Sequence, residues 1–248
     1  MTTAATLAGW VAAGIAAAVT LAVRRMLGSR MEAVARACHE LRGPITAARL
    51  GLALGERPGA LSPQRLRALD LELGRAALAI DDLADVRARR RPSGACGDVD
   101  LRGLLLDSVE AWRCFAEVHG CTLELRCTGV GVCVRGDRLR LAQAFGNLLA
   151  NAIVHGGGSV EVWLSGSVSD AAVQVEFRDD GPGLPAPVVE LARRGRRSRG
   201  PHGHGLAVAA AVAAVHGGRL GTAPSVRGAR LVLELPVAAG VRRRLDGS

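Results

Sequence analysis

Between Met31 and about Val86 the chain places apolar residues at alternating three- and four-residue steps. Val34, Cys38, Leu41, Ile45, Ala48 and Leu52 form one series; Leu66, Leu69, Leu73, Ala76, Ile80 and Leu83 form the next. A 3.5-residue repeat is the seam of a coiled coil, so each series reads as one amphipathic helix. The segment "GERPGALSP" between them supplies a turn, with Pro63 suited to the first position of the second helix. Extra apolar positions, Leu71 and Leu78, widen the second stripe. Two helices this short cannot bury such stripes alone, and the expectation is a dimeric four-helix bundle.

The run Ala4 to Val23, "AATLAGWVAAGIAAAVTLAV", carries no charge and is followed at once by Arg24, Arg25 and Arg30. As a helix it would reach about 30 Å, the thickness of a bilayer core. The basic residues after it predict a single-pass inner-membrane anchor with the rest of the chain in the cytoplasm. At most three residues would then lie outside, so no outer sensor domain is expected. A buried Ala-rich helix is the competing reading. The net charge of +9, with all 32 basic residues arginine, would permit nucleic-acid binding. The chain has no Tyr, three Phe and three Trp, too few aromatics for base stacking, so direct nucleic-acid contact is not expected. The six cysteines show no CxxC pair and no zinc spacing; they read as small apolar residues in a reducing compartment.

The stretch "RARRRPSGACG" breaks the heptads and reads as a linker. Beyond it a helix is predicted near Leu101–Val118, then strands in "CTLELRC" and "GVCVR", then a helix over Asp137–His155. Strands follow at Val160–Leu164 and Val173–Arg178, a Gly/Pro/Arg-rich loop at 181–204, a helix at Leu206–His216 and a strand at Arg230–Pro236. Antiparallel strands with helices on one face make an α+β domain. The expected organisation is 1–30 transmembrane and juxtamembrane segment, 31–92 helical hairpin, 93–240 α+β domain and 241–248 basic tail.

Chemistry concentrates in three places. In "GDRLRLAQAFGNLLANAIVHGG", Gln143, Asn147, Asn151 and His155 recur every four residues on one side of the helix. A solvated stripe usually carries charge; an amide oxygen is instead a neutral, hard donor suited to Mg²⁺. In "VQVEFRDDGPGLP", Asp179 continues the inward parity of Val173, Val175 and Phe177, so Asp179 rather than Asp180 should point into the domain. There it needs donors, and the exocyclic amine of adenine is one. Gly181 and Gly183 would let the backbone approach a flat ring, although a simple turn explains them as well. In "GPHGHGLAVAAAVAAVHGG", Gly203 and Gly205 precede a helix whose first amides favour phosphate; a plain loop-to-helix joint is the alternative.

Taken in order, these motifs resemble the ATP-binding domain of sensor histidine kinases, within the wider group that includes gyrase and Hsp90. "NLLANA" resembles the asparagine box, "DDGPG" and "GHGL" the two glycine boxes, "HGG" at 216–218 also fits, and "CHELRGP" resembles the phosphoacceptor box. The likeness covers roughly residues 31–238. It implies an ATP-dependent protein-histidine kinase that phosphorylates His39, with Asn151, alongside Asn147, holding Mg²⁺ and Asp179 reading adenine. His155, Gly181, Gly183, Gly203, Gly205 and Leu206 would complete the nucleotide site. His39 lies one step off the helical seam, where its ring should reach solvent. Neutral imidazole would attack the γ-phosphate while Glu40 fixes the tautomer and takes the proton. The phosphoryl group would pass to an aspartate of a response-regulator receiver domain. Pro44 removes a helical hydrogen bond and gives a place for signal-driven bending.

The chain departs from the pattern at several positions. Val154 stands where the family has a basic residue, and His204 replaces the first leucine of the second glycine box. The lid lacks the usual phenylalanines and carries Arg193, Arg194, Arg196, Arg197 and Arg199. Gly43 stands where the family often has Thr or Asn, a side chain that positions water for dephosphorylating the regulator; weak phosphatase activity is expected. The alternative function is a catalytically weak pseudokinase acting as a dimeric scaffold. A serine kinase of the anti-sigma type or a nucleotide-driven ATPase would need neither His39 nor the hairpin.

Overall fold

The computed structural model describes Trp10, residues 17–24, Met26, Gly28, Leu41, 43–46, 62–88, 96–128, 132–167, 172–197 and 204–238, without the side chains of 81–88, 167 and 196–197. His39, Glu40 and Gly203 lie outside the described residues, as do most of the first hairpin helix and most of Ala4–Val23. Among the described residues no helix is long and apolar enough to cross a membrane.

The second heptad series forms helix α1, Pro63–Ala88, beginning at the expected proline. Its two faces differ. Leu66, Leu73 and Ile80, all on the seam, are more than half exposed, whereas Ala68, Leu71, Glu72, Arg75 and Ala79 are buried. Leu71 therefore does not widen the bundle seam; it packs on the domain that follows, in the same core as Leu101 and Phe145.

That domain begins with strand β1, Gly97–Asp100, and helix α2, Leu101–Val118. Strands β2, Thr122–Thr128, and β3, Cys133–Gly136, lead to helix α3, Arg138–His155. Strands β4, Ser159–Ser167, and β5, Ala172–Asp179, lead to helices α4, Val188–Arg197, and α5, His204–Val215. Strands β6, Arg219–Thr222, and β7, Arg230–Pro236, close the fold. Five strands pair in the order β2-β4-β5-β7-β6, while β1 and β3 form a separate two-stranded ribbon.

Three expectations need correction. The sheet is mixed, because β2 runs parallel to β4 while its other neighbours are antiparallel. The crossover is α3, which lies between them in sequence and covers the sheet, as parallel pairing requires. The stretch 181–204 is not all loop: Val188 and Ala192 bury one side of α4. Strand β6 is four residues long and is held by pairing Leu220 with Leu233 on β7.

The core lies between α2, α3 and α5 and one face of the sheet. Val160, Val162, Val173, Val175, Phe177, Leu231, Leu233 and Leu235 alternate inward and are almost fully buried. Phe145 of α3 meets Phe177 with ring centroids 6.1 Å apart. The other face is polar, and there Glu176 is buried beneath Arg178 and Arg230.

Both functional helices are pinned at their ends. Asp137 caps α3 by accepting the N–H groups of Leu139 at 2.9 Å and Arg140 at 3.1 Å. His216 then joins α5 to α3: Nε2 accepts the N–H of Asp137 at 3.0 Å, and Nδ1–H donates to the Val212 carbonyl at 2.8 Å. A methyl at Gly136 would overlap this ring.

Candidate nucleotide site

The start of α5 packs on the middle of α3, and the C-terminal end of α3 packs on the junction between the end of β5 and the start of β7. A β-carbon at Gly205 would stand 3.5 Å from that of Asn147, so the second glycine box lies directly against the asparagine helix. Asn147 Nδ2 is buried with no hydrogen-bond partner among the described residues. A buried amide donor without a partner costs about 1–3 kcal/mol, which suits a residue awaiting a polar ligand. Asn151 lies one turn on, partly exposed. Leu206 is buried in the core, where it seats the helix rather than lining a surface.

Asp179 stands at the end of β5. Its Oδ1 accepts the N–H groups of Gly181 at 3.1 Å and Ala229 at 2.9 Å. Around it the backbones approach too closely for side chains. A methyl at Gly156 would overlap the Asp179 β-carbon, and one at Gly228 would overlap the Asp179 carbonyl oxygen. One at Gly181 would overlap the His155 carbonyl oxygen. His155 itself is exposed at the last turn of α3. Gly183 and Gly228 have φ of +82° and +69°, conformations that side chains resist.

Asp180 does different work. Its Oδ1 accepts the N–H groups of Gly158 and Ser159, each at 3.0 Å, holding the turn after α3. The Ser159 amide, followed by the Arg227 charge, holds its carboxyl below the usual aspartate range. Gly156, Gly228, Asp180 and Arg227 were not legible as parts of this arrangement. The only local signal was glycine at 156 and 228 without a periodic reason for either.

The residues fit an adenine nucleotide. They offer a carboxylate oriented by backbone N–H groups, a glycine cradle for a flat ring, and two amides beside a helix N-terminus. Among the described residues no group of three or more His, Cys, Asp or Glu side chains could hold a metal by itself, so a cation here would draw on asparagine and phosphate oxygens. A cavity of about 310 Å³ at the start of α2, lined by Asp98, Asp100, Asp107 and Arg138, shares no residue with this site. The five described cysteines are free thiols, and burial pushes those of Cys121, Cys127 and Cys133 up.

The architecture and the glycine-bounded site define an ATPase-type α+β domain, and residues 136–239 match the histidine kinase-, DNA gyrase B- and HSP90-like ATPase family. The probable sensor histidine kinase TcrY of Mycobacterium tuberculosis is 33% identical over 219 residues, 82% of this chain and 45% of that protein. The signal transduction histidine-protein kinase BaeS of Escherichia coli is 29% identical over 230 residues, 87% of this chain and 49% of that protein. Full-length ShkA in complex with AMPPNP shares the fold, with a TM-score of 0.55 at 23% identity over 85% of this chain and 46% of that one. The chain thus belongs to the sensor histidine kinase family. It spans less than half the length of these relatives.

Proposed function

We propose that the chain is a membrane-anchored, dimeric histidine kinase that phosphorylates His39 from ATP and delivers the phosphoryl group to an aspartate of a response regulator. The observation that carries this reading is the buried Asn147 amide beside Gly205, without a partner among the described residues, together with the Asp179 carboxylate, held by two backbone N–H groups against the C-terminal end of the same helix. Asp179 would accept the adenine amine, and the amides opening α5 would face the phosphates. Mg²⁺ held by Asn151, with Asn147 beside it, would supply positive charge where the triphosphate is most negative. His39 in its neutral form offers a nitrogen lone pair, and Glu40 takes the proton from the other ring nitrogen. The bond formed is N–P, and ADP leaves.

The exposed Leu66, Leu73 and Ile80 support the dimeric bundle, since three seam residues one heptad apart are left without cover on α1. Val19, Leu21 and Val23, apolar, helical and about half exposed, support a lipid-facing segment. Gly43 supports weak phosphatase action on the regulator, having no side chain to place a water.

The test is incubation of the full chain with γ-labelled ATP and Mg²⁺. Acid-labile label that disappears in His39→Gln is the expected result. One observation favours a second reading: Val154, exposed at the last turn of α3, provides no cation where the family has one. Nucleotide binding without any label would replace the kinase with a dimeric scaffold.

A further inference from the structure

We infer that Asp180 is a positioning residue: it holds Asp179 at the angle that accepts an amine, and so sets the preference for adenine over a base with an oxygen at that place. The inference rests on the adenine role proposed for Asp179. Asp179 stands between two glycine-bearing turns. A methyl at Gly156, after α3, would overlap its β-carbon, and one at Gly228, before β7, would overlap its carbonyl oxygen. A carboxylate so confined keeps its direction only while both turns stay in place.

Asp180 reaches both turns. Its N–H donates to the Gly156 carbonyl at 3.1 Å, and its Oδ1 accepts the N–H groups of Gly158 and Ser159, each at 3.0 Å. Gly157, with φ of +83°, is pressed to the same oxygen: a β-carbon there would stand 2.9 Å from it. From the other turn Arg227 Nε donates to the Asp180 carbonyl at 3.2 Å, and its Nη2 lies 3.7 Å from Oδ2. One residue thus ties 156–159 and the Arg227–Gly228 pair to the end of β5. With its N–H, carbonyl and carboxylate all engaged in this way, Asp180 acts on a base through Asp179 and not by contact.

The consequence is selectivity. Adenine offers Asp179 an amine, whereas hypoxanthine and guanine offer an oxygen at the same ring position. A carboxylate fixed at hydrogen-bond distance accepts from the first and repels the second. One that can swing aside does neither, so loosening the turns costs adenine its bond without costing the other bases anything.

The test compares ATP with inosine triphosphate, both with Mg²⁺, by competition against a fluorescent ATP analogue on the full chain. Asp180→Ala should weaken ATP about tenfold and inosine triphosphate by less than about twofold. Asp180→Asn keeps an acceptor for the Gly158 and Ser159 amides and should stay within about threefold of the original for ATP. Equal losses for the two nucleotides make Asp180 a merely structural residue and overturn the inference, as does an unchanged preference. The Arg227 side chain is 76% exposed, so Arg227→Ala folds whatever becomes of Asp180→Ala. It should reduce the preference at least about twofold, and no reduction counts against the brace. If the original chain does not prefer ATP, the adenine reading falls and the brace is judged by hydrogen exchange. The Ala229 amide, bonded to Asp179 Oδ1, should then exchange about tenfold faster in Asp180→Ala, relative to the Leu149 amide within α3. Equal rates overturn it.

Discussion

Asp179 accepts the backbone N–H of Ala229 at 2.9 Å through one carboxylate oxygen, tying the end of β5 to the start of β7. The same oxygen takes the Gly181 amide, and the other makes no hydrogen bond among the described residues. In Asp179→Asn the amide oxygen can keep both backbone bonds while the charge and one acceptor are lost. Nucleotide affinity is expected to fall about 10- to 100-fold, since a hydrogen bond to a charged group is worth about 1.5–3 kcal/mol. Titration calorimetry with ATP reads the affinity and scanning calorimetry an almost unchanged Tm. Equal affinity in the variant would remove Asp179 from the adenine pocket.

Gly228 lies at the same junction with φ of +69°, and a methyl there would overlap the Asp179 carbonyl oxygen. Gly228→Ala should cost about 2 kcal/mol or more, from a strained backbone and a forced separation of the strand ends. Gly158 is the control: it is nearby, nothing stands within 4 Å of its β-carbon position, and alanine there should change stability by less than about 0.5 kcal/mol. Denaturant unfolding of the two variants makes the comparison.

The buried outer-face carboxylate should show itself in acid. Hydrogen bonds from Arg230, then the bonds and charge of Arg178, hold the Glu176 carboxyl below the usual range. A depressed folded value means that its contribution is complete above the unfolded pKa of about 4.3 and is lost as pH falls through the folded one. Glu176→Gln should lower Tm at pH 7 and reduce the drop in Tm between pH 6 and pH 3. An acid limb as steep as that of the original chain would count against this account.

Leu73 lies on the exposed seam of α1, away from Leu71 and the face of the helix that packs on the α/β domain. Leu73→Asp should convert a dimer to a monomer in sedimentation at micromolar concentration, because a carboxylate cannot be buried in an apolar bundle without a partner. The Tm of the α/β domain should stay within about 2 °C. A variant that remains dimeric would place the interface elsewhere.

The helix α1 and its start at Pro63 were legible because each announces itself locally, by heptad spacing and by a helix-starting proline; the helix Leu101–Val118 and the strand Arg230–Pro236 stand where the order of apolar residues predicts them. The parallel pairing of β2 with β4 was not, since a strand carries no mark of its partner's direction. Helix α4 hid inside a Gly/Pro/Arg-rich stretch because only one of its sides is apolar, and β6 is too short to show a period.

Along the chain, the residues set out the chemical groups and their order: amides four residues apart, an inward aspartate, glycines before a helix, a histidine beside a seam. Those are properties of neighbours along a chain, and periodicity exposes them. Which backbones touch is settled by folding alone. It drew Gly156 and Gly228 to Asp179, set Gly205 against Asn147, and gave α1 a second face through Leu71 and Arg75. It also changed the sense of Gly43, whose missing side chain makes room for Trp112 as well as leaving no group to hold a water. The reason is physical: close packing is a condition on atoms far apart in sequence, and no local pattern records it.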